Sequence, residues 1–126
     1  MIGNENLQGR RVLVVEDELM ISMLVEDMLS DLGCSVVGPA HELAAALALA
    51  NGPEGIDAAL LDVNLGGQSV FPVADALRAR GVPSIFSTGY GEAGLRDVDR
   101  GAPVLQKPFR AGDLARALQE ALKTTA

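Results

Sequence analysis

The chain has 126 residues, which fits one domain able to bury a single core without disulfides or metals. Ten basic against seventeen acidic residues give a net charge of -7, which argues against a nucleic-acid surface because such surfaces need clustered Lys and Arg. No apolar run approaches the roughly 18 residues that span a bilayer, no signal-peptide pattern opens the chain, and Cys34 is the lone cysteine. We therefore expect a cytoplasmic protein that binds neither nucleic acid nor membrane.

Short apolar runs alternate with amphipathic patterns along the chain. Residues 1–9 are polar and aperiodic, which indicates a loose N-terminal arm. Residues 12–15 are then typical of a strand covered on both faces. The apolar spacing from Ile21 to Leu32 predicts a helix, and Gly33 stands where a C-terminal cap belongs.

The same alternation continues to the end of the chain. Further strands are predicted at 34–37, 56–61, 84–87 and 104–105, and further helices at 43–50, 70–77 and 114–122. Ser69 is expected to cap the helix that follows it. Three glycines interrupt residues 90–102, and each costs up to about 1 kcal/mol in a helix interior. A fourth helix there is therefore expected to be short or mobile, and residues 124–126 are expected to fray.

Five strands alternating with helices predict an α/β fold, a three-layer sandwich on a doubly wound parallel sheet with right-handed crossovers. In such sheets, ligands bind outside the carboxyl ends of the strands. The polar residues at those ends are Glu16, Asp17, Asp62, Thr88 and Lys107. They are expected to converge on one rim of the sheet.

The chemistry of this set points to phosphoryl groups. Carboxylates gathered at one point repel each other unless a cation lies between them, and all-oxygen ligands favour Mg²⁺, Mn²⁺ or Ca²⁺, with Mg²⁺ preferred. Lys107 adds a second positive charge and Thr88 a hydroxyl donor. A metal, a cation and a donor can surround the three equatorial oxygens of a phosphoryl group. Asp62, at the centre, is the natural nucleophile.

Each of these residues has a simpler explanation when it is taken alone. Asp62 can be a surface loop cap, and Lys107 a surface lysine. Glu16 and Asp17 can favour the positive end of the first helix, and Thr88 can satisfy a strand-end backbone group. Their common position at strand ends favours the site.

His41 and the first-helix methionines are given no role in this site. His41 is expected on the surface, and as the only histidine it cannot build a metal cluster. Met20, Met23 and Met28 are interpreted as helix packing.

Four motifs follow the predicted strands in order: Val-Val-Glu16-Asp17-Glu18, Leu-Leu-Asp62-Val-Asn64, Thr88-Gly89 and Lys107-Pro108-Phe109. Together they resemble the receiver domain of two-component response regulators, over residues 10–123. The resemblance implies the flavodoxin-like receiver fold with strand order 2-1-3-4-5. Pro108 also makes a cis peptide bond after Lys107 an option, because cis bonds are essentially a proline feature.

Roles for individual residues follow from this resemblance. It implies Asp62 as phospho-acceptor, Lys107 as the phosphate-pairing lysine and Thr88 as the switch hydroxyl. The resemblance also implies a bound Mg²⁺, with Mn²⁺ as an alternative, that is held by Asp62 and by three further residues. Asp17 is a direct ligand, Glu16 acts mainly through water, and Asn64 offers its backbone carbonyl.

The resemblance also implies a function in bacterial two-component signalling. The protein is expected to be a phosphorylation-dependent switch, not an enzyme with a separate substrate. A sensor histidine kinase or a histidine phosphotransfer protein is expected to supply the phosphoryl group, and an unidentified downstream protein to receive the signal by contact. A monomer or weak dimer is expected. Because the chain starts at Met1 and stops after the last predicted helix, we expect a stand-alone regulator without an output domain; a receiver excised from a hybrid kinase is the alternative.

Two features depart from the common receiver pattern. The family often has Tyr or Phe three residues before the lysine, where this chain has Val104. Residues 85–91 instead resemble a subgroup of small regulators with a Phe-Ala-Thr-Gly-Tyr type motif. We therefore hypothesise that phosphorylation orders the glycine-rich residues 90–101 and does not flip an aromatic rotamer.

Three other classes fit less well. A phosphatase of the haloacid dehalogenase type would want a second aspartate two residues after the nucleophile, where this chain has Asn64. A flavodoxin-like FMN carrier needs a hydroxyl-rich phosphate loop after the first strand, where this chain has three acids. A non-phosphorylated pseudo-receiver would have lost an acid or the lysine, and both are present.

Overall fold

The computed structural model describes residues 5–89 and 94–123. Within them, the strands are β1 Arg11–Val15, β2 Ser35–Ala40, β3 Ala58–Asp62, β4 Asn64–Leu65, β5 Gln68–Ser69, β6 Ser84–Thr88 and β7 Val104–Gln106. The α-helices are α1 Leu19–Asp31, α2 Leu43–Ala50, α3 Phe71–Ala79 and α4 Ala111–Lys123. Single 3₁₀ turns lie at Glu5–Leu7 and Asp97–Asp99. None of the described helices is long and apolar enough to cross a membrane.

Five of the strands form one parallel sheet in the order β2-β1-β3-β6-β7, and β4 and β5 form a small antiparallel hairpin. With the hairpin set aside, this is the predicted order 2-1-3-4-5. The central strand β3 is buried along its whole length, as its run of apolar residues indicates. The predicted doubly wound parallel sheet is confirmed.

Alternate residues of the central strands enter two separate apolar layers, one on each face of the sheet. The face toward α2 and α3 carries Leu13, Leu61 and Phe86. The face toward α1 and α4 carries Val14, Leu60 and Ile85. The three-layer sandwich is therefore confirmed, and its core is almost entirely aliphatic.

The N-terminal arm needs a correction over its described part. Leu7 is fully buried in the layer beneath α1 and α4, and Gly9 N donates to Gly33 O at 2.8 Å. The Cys34 thiol also lies 3.4 Å from Leu7 O. Residues 5–9 are thus packed against the domain and are not a loose arm, while residues 1–4 and the end at 124–126 lie outside the described residues.

Two details of the helices also differ from expectation. The N-cap of α3 is Val70, although Phe71 N does donate to Ser69 Oγ at 3.2 Å, so the predicted cap is displaced by one residue. On α1, Met20 is 79% exposed and Met23 54% exposed, which contradicts their interpretation as packing residues. Met28 alone among the three packs against the core.

The segment with the interrupting glycines has little regular structure in its described part. Residues 94–102 contain the 3₁₀ turn Asp97–Asp99, with Leu95 and Asp99 buried. The first part of the predicted weak helix, at 90–93, lies outside the described residues.

Candidate functional site

The carboxyl ends of the central strands bring three acids together. Glu16 directly follows β1, and its backbone N–H donates to Ala40 O at 3.0 Å, while Asp62 is the last residue of β3. Carboxylate oxygens of Glu16, Asp17 and Asp62 all lie within 4.8 Å of one another. Glu16 and Asp62 are only 4% and 6% exposed, whereas Asp17 lies at the surface.

Lys107 supplies the positive charge beside these acids. Its Nζ lies 2.9 Å from Glu16 Oε1 and 3.2 Å from Asp62 Oδ2. Its backbone is held beside β6, because Lys107 N donates to Thr88 O at 2.9 Å. The Lys107–Pro108 peptide bond is cis. Two buried carboxylates thus share one ammonium group, which lowers the free-energy cost of burying their charges.

The hairpin after β3 holds the acids from the other side. Gly66 N donates to Asp17 Oδ2 at 2.9 Å, and Asn64 N donates to Asp62 Oδ1 at 3.3 Å. Gly66 and Gly67 have φ values of +55° and +91°, which glycine adopts at no steric cost. The loop can therefore turn its amide groups toward the carboxylates.

The hairpin register also places the backbone carbonyl of Asn64. Val70 N donates to Val63 O at 3.2 Å, which places one ladder bond beside the Asn64–Ser69 pair, while Val63 N donates to Ser87 O at 3.1 Å. Antiparallel ladders alternate, which makes Asn64 and Ser69 a non-hydrogen-bonded pair. By this alternation the Asn64 carbonyl points away from Ser69 and out of the ladder.

The pKa values follow from this crowding. Burial, the Glu16 charge and the contact with Asp17 raise the pKa of Asp62 to about 7, against the opposing effect of Lys107. The pKa of Asp17 is lowered, because hydrogen bonds with Asp62, Glu16 and Gly66 N outweigh its partial burial. The pKa of Lys107 is raised, since its contacts with Glu16 and Asp62 outweigh burial. A divalent cation in place of the Asp62 proton would relieve the same repulsion.

Thr88 lies where the sequence places it, at the end of β6. It is buried and is the register partner of Gln106, next to the backbone bond that fixes Lys107. The structure therefore brings Thr88 and Lys107 to the same rim as the three acids.

Sequence reasoning missed two residues here. Ser87 is the register partner of Asp62, is 2% exposed, and its Oγ has no hydrogen-bond partner among the described residues. A polar residue inside an otherwise apolar strand was the available signal. His41 is exposed as expected, but its Nδ1 lies 3.0 Å from Glu16 O, which places it at the rim of the site.

This fold, with acids, a lysine and a hydroxyl at the strand ends, defines a receiver domain. Residues 12–119 match the family model described as "Response regulator receiver domain". The chain belongs to this family of signalling regulators.

The relatives agree with that assignment. The chain is 31% identical over 115 residues to the phyllosphere-induced regulator PhyR of Methylorubrum extorquens; the match covers 88% of this chain and 43% of PhyR, so the chain spans less than half of that relative. The solution structure of SdrG from Sphingomonas melonis Fr1 is similar, with 44% identity and a TM-score of 0.79 over 92% of this chain and 98% of SdrG.

A third similar protein bears on the metal. The receiver domain of the sensor histidine kinase PA1611 from Pseudomonas aeruginosa PAO1 is 30% identical, with a TM-score of 0.77 over 91% of this chain and 98% of that domain. Its crystal structure has a magnesium ion coordinated in the active site cleft. The three acids of the present chain are a compatible ligand set.

Proposed function

We propose that the protein is a phosphorylation-dependent signalling switch and that Asp62 is its phospho-acceptor. The observation that carries the proposal is the placement of Lys107 Nζ between Glu16 and Asp62, at 2.9 Å and 3.2 Å, beside the cluster of three carboxylates. A buried aspartate with one movable cation next to it has the two groups that phosphoryl acceptance requires of a protein, a nucleophile and a charge to neutralise the product.

Four groups are proposed to hold Mg²⁺, or Mn²⁺ in its place. Asp17 and Asp62 would ligate through carboxylate oxygens, Glu16 mainly through water, and Asn64 through its backbone carbonyl. When bound, the cation would neutralise charge on the phosphoryl oxygens. The exposed position of Asp17 leaves room for the waters that Mg²⁺ usually keeps.

The protein residues perform the rest of the transfer. An ionised oxygen of Asp62 attacks phosphorus, so an O–P bond forms as the N–P bond of a phosphohistidine donor breaks. Lys107 exchanges part of its contact with the two carboxylates for a phosphoryl oxygen. The Thr88 hydroxyl then donates to another phosphoryl oxygen, which links the new group to β6.

The partners follow from this chemistry. The phosphodonor is proposed to be a sensor histidine kinase or a histidine phosphotransfer protein, and the modified surface is proposed to engage a downstream protein by direct contact, as a monomer or weak dimer. Residues 10–123 are the proposed receiver unit, with the packed residues 5–9 as its extension. The proposed compartment is the cytoplasm, where a free thiol such as that of buried Cys34 persists.

Incubation with Mg²⁺ and acetyl phosphate tests the proposal. We expect the parent to gain the mass of one phosphoryl group, in an adduct that is lost at alkaline pH, and Asp62→Asn to gain none. Asp97→Asn is the matched control, because Asp97 is an exposed carboxylate away from the cluster. No gain in the parent, or an equal gain in Asp62→Asn, would refute Asp62 as the acceptor.

A further inference from the structure

A group of four charged residues joins α3 to the segment that follows β6. Asp99 has a fully buried side chain and accepts hydrogen bonds from Arg78 Nη2 and, at 2.7 Å, from Arg96 Nε. The two Nη atoms of Arg96 donate to the two oxygens of Asp75 at 3.2 Å and 2.9 Å. We call Asp75, Arg78, Arg96 and Asp99 the α3 ion-pair cluster.

The buried carboxylate makes this cluster different from an ordinary surface ion pair. A buried charge that loses a partner is strongly unfavourable, whereas an exposed pair contributes little. Arg96 is therefore held in one orientation by Asp99 and Asp75 together. The hydrogen bonds to both acids also raise the pKa of Arg96, so its charge is permanent.

The cluster contacts a short aromatic path. The Arg96 guanidinium lies over the ring of Phe71, with 4.4 Å between Cζ and the ring centroid. Phe71 meets Phe86 edge-on, with ring centroids 6.3 Å apart and an interplanar angle of 63°. Phe86 is on β6, two residues before Thr88, and its register partners are Leu61 and Val104. This path runs beside the position where the common receiver pattern has an aromatic and this chain has Val104.

Phe71 also belongs to the hairpin side of the candidate site. It is the first residue of α3 and follows Val70, whose N–H donates to Val63 O. Its own N–H donates to Ser69 Oγ, at the base of the hairpin. The same hairpin carries the Asn64 carbonyl and the Gly66 N–H that holds Asp17. Phe71 thus contacts Arg96 on one side and is bonded into the ligand-bearing hairpin on the other.

We propose that the Arg96–Phe71 contact couples cation binding at the acidic site to the order of residues 94–102. A cation bound to the acids and to the Asn64 carbonyl fixes the hairpin, which fixes Phe71 as the surface on which Arg96 stacks. Because the bound cation has already ordered the hairpin and Phe71, ordering residues 94–102 against Phe71 costs less conformational entropy, so the coupling is positive. Coupling is also reciprocal: disruption of the contact weakens cation binding. Arg96 is a positioning residue, since it touches none of the three acids.

The inference rests on the proposed function only in taking Mg²⁺ as the probe, and it is tested without phosphorylation. Backbone amide exchange of residues 94–102 and the Mg²⁺ affinity, read from amide chemical shifts of the Gly66 and Asp17 region, are measured on the intact chain. The variants are Arg96→Gln, which keeps one donor for Asp99, and Phe71→Leu, which keeps an apolar side chain. Arg100→Gln is the matched control, because Arg100 is on the same segment and, within the part of the chain that the structure describes, its ion pair is with the exposed Asp97 at 3.0 Å.

We expect saturating Mg²⁺ to slow exchange of residues 94–102 in the parent and in Arg100→Gln. Arg96→Gln and Phe71→Leu should both lose this response and bind Mg²⁺ about three- to tenfold more weakly. Folded variants that keep the parent's affinity and response would overturn the coupling, as would an equal loss in Arg100→Gln. The coupling is also overturned if Mg²⁺ leaves the amide exchange of residues 94–102 in the parent unchanged. Absence of a phosphoryl adduct on Asp62 alongside the expected exchange results would refute the proposed acceptor and leave the coupling standing.

Discussion

Replacing Asp62 by asparagine isolates the free energy that its charge costs the folded protein. The folded-state pKa of Asp62 is about 7, against an ordinary value of 3.8. At about 1.36 kcal/mol per pKa unit, this difference corresponds to about 4 kcal/mol. The pKa of about 7 already includes the effect of Lys107, and water at the open rim screens part of the remaining charge, so we expect an effect of about 2–4 kcal/mol.

The sign of the effect follows from proton binding. Below about pH 4 the carboxyl is protonated in both the folded and the unfolded chain, and Asp62 costs nothing. As the pH rises through about 7, the folded protein holds the proton longer than the unfolded chain, so the parent progressively loses stability. Asp62→Asn does not lose this stability, because its amide stays neutral at every pH. Without divalent cations, the variant is expected to equal the parent near pH 4 and to be more stable at pH 8.

Urea unfolding at a series of pH values, in the presence of a chelator, measures this difference directly. Titrating groups away from the site are common to both proteins and cancel in the comparison, whereas Asp17 and Lys107, whose pKa values depend on Asp62, contribute to the measured difference. Mg²⁺ at pH 8 should stabilise the parent, by about 2.7 kcal/mol at one hundred times its dissociation constant, and stabilise Asp62→Asn much less. A difference between the two proteins that stays constant from pH 4 to pH 8 would refute the argument from burial and crowding.

Three further substitutions test other parts of the structure. Ser87→Ala removes a buried hydroxyl without a described partner, so its unfolding free energy in urea should equal the parent's or exceed it by up to about 2 kcal/mol; a clear loss would mean that the hydroxyl makes a stabilising bond. Leu7→Ala should lower the unfolding free energy by about 2–5 kcal/mol, because Leu7 is fully buried; a change within error would restore the loose arm. Thr88→Ala should still accept phosphate from acetyl phosphate but show smaller amide shifts on β6 and β7 afterwards; identical shifts in both proteins would remove Thr88 from the switch.

Much of this architecture could be predicted from the sequence because the buried strands of a parallel sheet have a recognisable apolar pattern. Buried strands such as 12–15 are continuous apolar runs between polar or glycine-rich stretches, and their carboxyl ends must share one edge of the sheet. This geometry alone groups Asp62 with Lys107, although 44 residues of chain lie between them.

The features that sequence reasoning missed have no periodic signal. Leu7 is one apolar residue among polar neighbours, and its burial depends on the groove beneath α1 and α4. Met20 and Met23 belong to a helix that is apolar on more than one face, so spacing could not tell which face is covered. The α3 ion-pair cluster joins Arg78 to Asp99 across 21 positions, and only the folded chain brings them together.

The shared ammonium of Lys107 also has a consequence for how the protein is made. Glu16 and Asp62 are synthesised well before Lys107, the residue whose Nζ neutralises them both. A nascent chain that ends before β7 would have to bury two carboxylates without their cation, which is strongly unfavourable. We therefore expect the rim around Glu16 and Asp62 to close only after Lys107 has left the ribosome.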